Sequence, residues 1–394
     1  MSGVQCHWYS TRLGRTTMQH RTLGRQGLVV SAIGYGAMGT TFAYGPGDDT
    51  ESIAAIRHAH DLGVTHFDTA ELYGWGTGER LLGAALAPVR DEVTIATKFG
   101  FTDTYGQDSR PDHIRQVVDT SLRNLGTDSI DLLYQHVHDP QVPIEDVVGV
   151  MQEFVQAGKV RYLGLSNTDA ENIRRANAVH PISVLQTEYS VFARESEDLF
   201  PVVDELGIGI VAYSPLARGF LSGAVQPRSA YAQEDIRQFL EWWAPEHWDA
   251  NTGVVAGLTE LADTKGISLS QLALAWILAQ RDDIVPIPGS RNPGRVAENA
   301  AAAAVTFTAE DLERITTLGQ GVRGKRHRLS HRPSRDATRG RTGGSPPAGR
   351  EPPVRNGVRT HDAHNAKKPR SERTGASRVA LVAGAGFEPT TSGL

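Results

Sequence analysis

The chain is expected to fold as a (β/α)8 TIM barrel, an α/β architecture, and three observations predict it. Six short apolar runs each end in a polar residue able to do chemistry. Amphipathic segments long enough for helices separate those runs. The 394 residues are also ample for a single large core, since such a barrel needs about 250 residues, more with insertions. Strand followed by helix, with a polar residue at the C-terminal end of each strand, describes the face on which barrel enzymes keep their active sites.

Residues 1–17 (MSGVQCHWYSTRLGRTT) show no periodicity and are expected to be a disordered extension, with Met18 a second potential start. The segment RTLGRQGLVVS, within residues 19–31, alternates around Gly24 and Gly27 as a β-hairpin would. Residues 32–36 form the first expected barrel strand and lead into the Gly-rich AMGTT. Asp49 opens a helix that runs to Leu62 and is closed by Gly63. The six runs come next: THFDTAELYG (65–74), VTIATKFG (93–100), DLLYQHVHDP (131–140), RYLGLSN (161–167), SVLQTEYS (183–190) and IVAYSPLARGFL (210–221). Between them, Ser109-Arg110-Pro111 caps a helix with Ile114, Val117, Val118, Leu122 and Leu125 on one face. Residues 144–157, 170–178, 195–206 and 254–265 supply four more helices, and 269–279 another. Residues 284–287 read as the eighth strand, and 309–318 close the ordered part.

Two regions break this rhythm. Residues 214–250 form a long loop rich in aromatics (Phe220, Tyr231, Phe239, Trp242, Trp243, Trp248), which leaves core packing and a substrate lid both open. Beyond Gly321 the chain is Arg-, Gly- and Pro-rich, a composition that buries too little apolar surface to offset the entropy of ordering, so 322–394 is expected to be disordered. Its last residues, GFEPTTSGL, resemble a peptide translated from a transfer-RNA gene. A frameshift or read-through tail and a basic interaction tail both fit. The expected organisation is therefore an extension (1–17), a barrel (18–321) and a tail (322–394).

Charge follows the same division. The tail holds 16 Lys and Arg against 5 Asp and Glu, a charge of +11, so residues 1–321 carry −16 of the total of −5. An acidic body argues against a nucleic-acid surface. The lone Cys6 permits no disulfide within the chain and no cysteine metal site, and no metal is expected. Arg12 and Arg15 are not followed by the apolar core of a signal peptide, and no run approaches the ~20 apolar residues of a membrane helix. A cytoplasmic protein with no membrane partner is expected.

The polar strand ends make a coherent proton-donating unit. A free phenol has a pKa of about 10 and donates poorly to a carbonyl at neutral pH. A neighbouring ammonium favours the phenolate and should lower that pKa, and the ammonium needs a carboxylate to stay charged in a buried pocket. Tyr73, Lys98 and Asp68 can fill these roles. His136 can bond and orient a substrate oxygen, although His138 would share its side of the strand. Ser166 and Asn167 could also cap the following helix.

FDTAELYG, ATKFG, YQH, GLSN, AYSPLARGFLSG and IPGSRNPGRVAEN, in unbroken order from about Arg21 to Leu318, closely resemble the aldo-keto reductases. That resemblance implies NADPH-dependent reduction of a small-molecule aldehyde or ketone. Asp68, Tyr73, Lys98 and His136 match the family's catalytic tetrad, with Tyr73 as general acid or base. The resemblance places Ser166, Asn167 and Gln186 on the nicotinamide carboxamide and Tyr213 against the nicotinamide ring. It puts Ser214, Leu216 and Gly219 in the loop around the pyrophosphate. Ser290, Arg291 and Arg295 would meet the 2′-phosphate, and Glu298 and Asn299 the adenine. Guanidinium forks suit phosphate, which favours NADPH over NADH. Gly289 stands where many relatives place a phosphate-binding Lys. The family also includes cofactor-binding subunits of membrane channels, an alternative to an enzyme. A phosphate-binding barrel isomerase has no carboxylate base placed for proton abstraction.

Overall fold

Eight short strands carry the inward-facing side chains, and each hands its C-terminal residue to a single rim. The structure, a computed structural model, describes residues 18–41, 48–232 and 235–325. The expected extension 1–17 and the tail from 326 onward lie outside the described residues.

The chain enters through an antiparallel hairpin, β1 (His20–Leu23) and β2 (Leu28–Ser31), paired from His20 with Ser31 to Leu23 with Leu28. Its apolar face closes the bottom of the barrel. Leu23, Leu28 and Val30 cluster with Ala96, Leu132, Tyr134, Val184, Val211 and Val285. Arg21 ties the hairpin down by donating to the carbonyls of Leu278 (2.8 Å) and Ile284 (3.0 Å).

Strands and helices then alternate. The first units are β3 (Tyr35–Gly36), α1 (Asp49–Asp61), β4 (His66–Asp68), α2 (Thr77–Leu86), β5 (Thr94–Phe99) and α3 (Pro111–Leu125). Next come β6 (Ile130–Gln135), α4 (Ile144–Gln156), β7 (Val160–Ser166), α5 (Ala170–Val179), β8 (Val184–Glu188), α6 (Phe200–Leu206) and β9 (Gly209–Tyr213). The chain finishes with α7 (Pro245–Thr264), α8 (Leu269–Leu278), β10 (Ile284–Pro286), α9 (Pro293–Ala301) and α10 (Ala309–Gly319). Strands β3 to β10 form one parallel sheet in sequence order. Gly34 N donates to Pro286 O (2.9 Å) and Gly36 N to Pro288 O (3.2 Å), and these bonds bring the last strand round to the first. The predicted barrel, with its N-terminal hairpin, is the observed fold.

Several expected boundaries move for identifiable reasons. The first barrel strand is only Tyr35–Gly36, because Ala32 N is still bonded to Gln19 O in the hairpin. The helix expected over 195–206 is a 3-10 turn (Glu195–Leu199) followed by α6, with Pro201 in its first turn. Proline has no N–H to continue the bonding ladder from the preceding turn. Helix α7 starts at Pro245, nine residues before its expected start at 254. Helix α2 is not evident from sequence because glycines interrupt its pattern. One of them, Gly83, is required by packing: a Cβ there would lie 2.2 Å from Leu125 O on α3.

The long aromatic loop packs as core rather than as a lid over its described residues. Trp242 and Trp243 are buried, and Phe220 meets Trp243 (4.6 Å between ring centroids) and Phe192 (5.0 Å). Only Phe239 stands half exposed. Hydrogen bonds also run past the expected boundary at Gly321. Asn251, fully buried, donates to Arg323 O (3.0 Å) and accepts from Arg323 N (2.8 Å), and Lys325 N donates to Glu241 (2.8 Å). No helix among the described residues is long and apolar enough to cross a membrane.

Candidate active site

The parallel register places Asp68 at the end of β4, Lys98 near the end of β5, and His136 just beyond β6. Asn167 follows β7, Gln186 lies within β8 and Tyr213 ends β9. All six therefore stand at the same C-terminal mouth, and Tyr73 reaches it from the turn after β4.

The centre of the site is a buried ion pair. The Lys98 ammonium donates to Asp68 Oδ1 and to the Thr69 carbonyl (2.7 Å), and Gln186 Nε2 donates to Asp68 Oδ2 (2.7 Å). Each oxygen of the carboxylate thus has a donor, as a buried charge requires. Lys98 Nζ stands 5.2 Å from the centre of the Tyr73 ring, and the edge of His136 meets that ring at 6.0 Å between centroids. It is His136, of the two candidate histidines, whose ring packs against both Tyr73 and Phe101 (5.0 Å). A second chain of bonds runs round the rim. Tyr213 donates to Asn167 Oδ1 (2.9 Å), and Asn167 Nδ2 donates to His136 O (3.1 Å) and Ser166 Oγ (2.9 Å). Asn167 reaches this position with a left-handed backbone (φ 50°), which asparagine tolerates better than most residues.

Electrostatics correct one expectation. Proximity to Lys98 alone would lower the Tyr73 pKa, but burial pushes the phenol well above its ordinary value, with Asp68 and Tyr213 adding to the rise and Arg218 opposing it. Burial likewise lowers Lys98, partly offset by Asp68. His136 is pushed well below the usual imidazole range by burial and by Lys98, so it is neutral. A neutral imidazole beside a protonated phenol suits donation to a substrate oxygen.

The remaining predicted positions lie above β9 and β10, which are paired neighbours. Ser214, Leu216 and Gly219 follow β9 directly. Ser214 is left-handed (φ 49°), and its buried Oγ has no hydrogen-bond partner among the described residues. Ser290, Arg291 and Arg295 surround the start of α9, where Asn292 caps the helix by accepting from Arg295 N (3.1 Å) and Tyr35 donates to Ser290 O (2.8 Å). Glu298 is half-buried and Asn299 buried within that helix. The glycine at 289 also has a structural cause: a Cβ there would lie 2.2 Å from Gly36 O, where the barrel closes. No group of three or more His, Cys, Asp or Glu positioned to hold a metal occurs among the described residues.

Sequence reasoning misses three buried groups. Arg218 and Glu188 form an ion pair (3.4 Å) with both side chains fully buried. Their signal was their place inside AYSPLARGFL and QTEYS. His66, two residues before Asp68, is fully buried and pushed down to about 4, chiefly by burial. Glu71, two residues before Tyr73, accepts from Gly100 N (2.7 Å) and Phe101 N (3.0 Å), and burial raises it to about 8.

Glu71 gives a stability prediction. An acid whose folded pKa lies above its unfolded value stabilises fully below the unfolded pKa, and that contribution is lost as pH rises through the folded one. Between about 4.5 and about 8 the wild type should therefore lose melting temperature relative to Glu71→Gln, which keeps the accepting oxygen but cannot ionise. Parallel melting curves for the two proteins across that window would refute the raised pKa.

Comparisons with known proteins identify relatives of the whole barrel. A sequence model described as the aldo/keto reductase family matches residues 32–320. A soybean (Glycine max) protein described as probable aldo-keto reductase 1 is 40% identical over 300 residues, covering 74% of this chain and 86% of that one. Among solved structures, the glycerol dehydrogenase of Gluconobacter oxydans is similar with a TM-score of 0.70 at 27% identity, covering 78% of this chain and 95% of that one. An aldo/keto reductase of Klebsiella pneumoniae in complex with NADP and acetate is similar with a TM-score of 0.61 at 25% identity, covering 79% and 98%.

Proposed function

Since the chain belongs to the aldo/keto reductase family, a family of NAD(P)-dependent oxidoreductases, we propose that it reduces an aldehyde or ketone to the alcohol with NADPH. The observation that carries this reading is the buried Lys98–Asp68 pair beside the Tyr73 ring. The residues present fit the cofactor. A buried Ser214 hydroxyl without a partner among the described residues sits just past β9, and Arg291 and Arg295 flank the first turn of α9, which follows the neighbouring strand β10. Ser214, Leu216 and Gly219 would hold the pyrophosphate. Asn167, Ser166 and Gln186 would hold the carboxamide, and Tyr213 would lie against the ring. Arg291, Arg295 and Ser290 would meet the 2′-phosphate, and Glu298 and Asn299 the adenine.

A nicotinamide held by these residues would supply the hydride for the carbonyl carbon. Tyr73 gives its proton to the carbonyl oxygen, and the raised pKa keeps that proton in place until the oxygen becomes basic. Neutral His136 orients the same oxygen by a hydrogen bond. Lys98, fixed by Asp68, offers a positive charge near the developing phenolate, where preorganised charge is worth most. The similarity to a glycerol dehydrogenase brings short polyol carbonyls into the substrate panel. Following NADPH absorbance with aliphatic, aromatic and hydroxylated carbonyls tests the function; absence of turnover on every class would remove it.

Cofactor choice has its own test. Replacing Arg291 and Arg295 together with Ala should weaken NADPH binding by about 1.5–3 kcal/mol for each charge-assisted hydrogen bond that the guanidiniums make to the phosphate. NADH binding should change much less. Equal weakening for both cofactors, measured by fluorescence titration, would mean that the pair does not read the 2′-phosphate.

A further inference from the structure

We propose that Arg218, held by Glu188, is a positioning residue that keeps the turn after β9 in the shape needed to accept the cofactor's pyrophosphate. The proposal rests on the cofactor reading above and adds to it a buried ion pair between the end of β8 and the turn after β9.

The turn is strained. Ser214 (φ 49°), Ala217 (φ 48°) and Arg218 (φ 57°) are all left-handed without being glycine, and Gly219 follows at φ 92°. Ala217 is a residue for which that conformation is costly, and such strain persists only where the surroundings over-determine it. Local bonds close the turn: Ala217 N to Ser214 O (2.9 Å), Gly219 N to Leu216 O (3.0 Å) and Leu221 N to Leu216 O (3.1 Å). These bonds are all internal and set the turn's curvature, while buried Phe220 packs its far end against Phe192 and Trp243.

Arg218 adds a polar anchor to the neighbouring strand. Its side chain is fully buried, and Nε lies 3.4 Å from Oε1 of Glu188, which is equally buried, a contact of charges rather than a hydrogen bond. Glu188 ends β8 and is in register with Tyr213 at the end of β9. The ion pair therefore stitches the turn back onto the neighbouring strand. A buried pair of this kind is poor at adding stability compared with apolar packing, and its best use is to select one arrangement. What it positions is the segment carrying Ser214, whose buried hydroxyl has no partner among the described residues.

The test separates two ligands in titrations of the full chain. NADP+ spans the turn and α9, whereas adenosine 2′-monophosphate has no pyrophosphate and reports on α9 alone. Arg218→Met and Glu188→Gln should each weaken NADP+ binding by about tenfold or more, as lost preorganisation does, with adenosine 2′-monophosphate changed by less than about twofold. Arg218→Lys, which keeps the charge but not the planar fork, should recover part of the loss. If the single variants melt early, the double Arg218→Met/Glu188→Met variant restores apolar packing without the fork. It should still bind NADP+ poorly. Wild-type NADP+ affinity in the double variant, or parallel loss of both ligands in the folded single variants, would overturn the proposal. A wild-type chain that binds neither ligand would overturn the cofactor reading as well.

Discussion

Tyr73→Phe is expected to lower the turnover of carbonyl reduction by a factor of about 10²–10⁴, the usual contribution of a positioned general acid. NADPH affinity should stay near the wild-type value, because the phenol acts only as charge develops on the substrate oxygen. The ring is buried against His136 and lies over the Lys98 ammonium, so phenylalanine fills the same space and the fold is kept. The direction of the phenol's pKa adds a second observable. Raised by burial and by Asp68, the phenol remains protonated to higher pH than a free tyrosine. Reduction, which needs the acid form, should therefore not lose rate to phenol ionisation through the neutral range. Alcohol oxidation, which needs the base form, should accelerate as pH rises. Steady-state rates in both directions across pH, for wild type and Tyr73→Phe, check both statements. Near-normal reduction by the variant would sink the proton-donor role.

Lys98→Met should be damaging in two ways. It leaves the Asp68 carboxylate, 2% exposed, without its cation, and breaking a buried pair from one side costs about 3–5 kcal/mol. Gln186 still donates to Asp68 Oδ2, which places the expected loss toward the lower end of that range. Turnover should fall at least as far as in Tyr73→Phe, because the fixed positive charge beside the phenol is gone. Stability and catalysis can be separated by adding Asp68→Leu. The double variant should regain most of the melting temperature, since an apolar pair replaces an orphaned charge, and should regain no activity. Denaturant melts and initial rates on the three proteins decide this. A single variant as stable as wild type would show that the pair is not holding the site together.

Much of this site is legible in the sequence because barrel geometry turns a local pattern into a location. A polar residue closing a short apolar run must emerge at the C-terminal rim, and Asp68, Lys98, Gln186 and Tyr213 all do. The helix-opening residues are legible for a similar reason. Helix α1 begins at Asp49 as expected, although it is Asp48 that caps it by accepting from Thr50 N (2.6 Å), and Pro111 starts α3 where a missing N–H does no harm. Helix α9 is not legible in the IPGSRNPG stretch, where Asn292 caps it. Helix α2 is hidden because its glycines answer to the approach of α3, which no window of the sequence contains.

What the sequence by itself determined is the order of the strands and of most helices, and the set of side chains delivered to the rim. These follow from periodicity and from backbone bonding over a few residues, which are local properties. What only the tertiary structure decided is the sign of the electrostatics and the long-range pairs. Lys98 beside Tyr73 suggests a lowered phenol pKa, yet desolvation outweighs it, and desolvation is set by everything packed around the ring. Glu71 looks like one more surface acid until burial raises it to about 8. Arg218 and Glu188 lie thirty positions apart, one in the turn after β9 and one at the end of β8, and only the pairing of those strands brings their charges together out of water. Burial and charge proximity depend on distances in space, and those exist only once the chain has closed on itself.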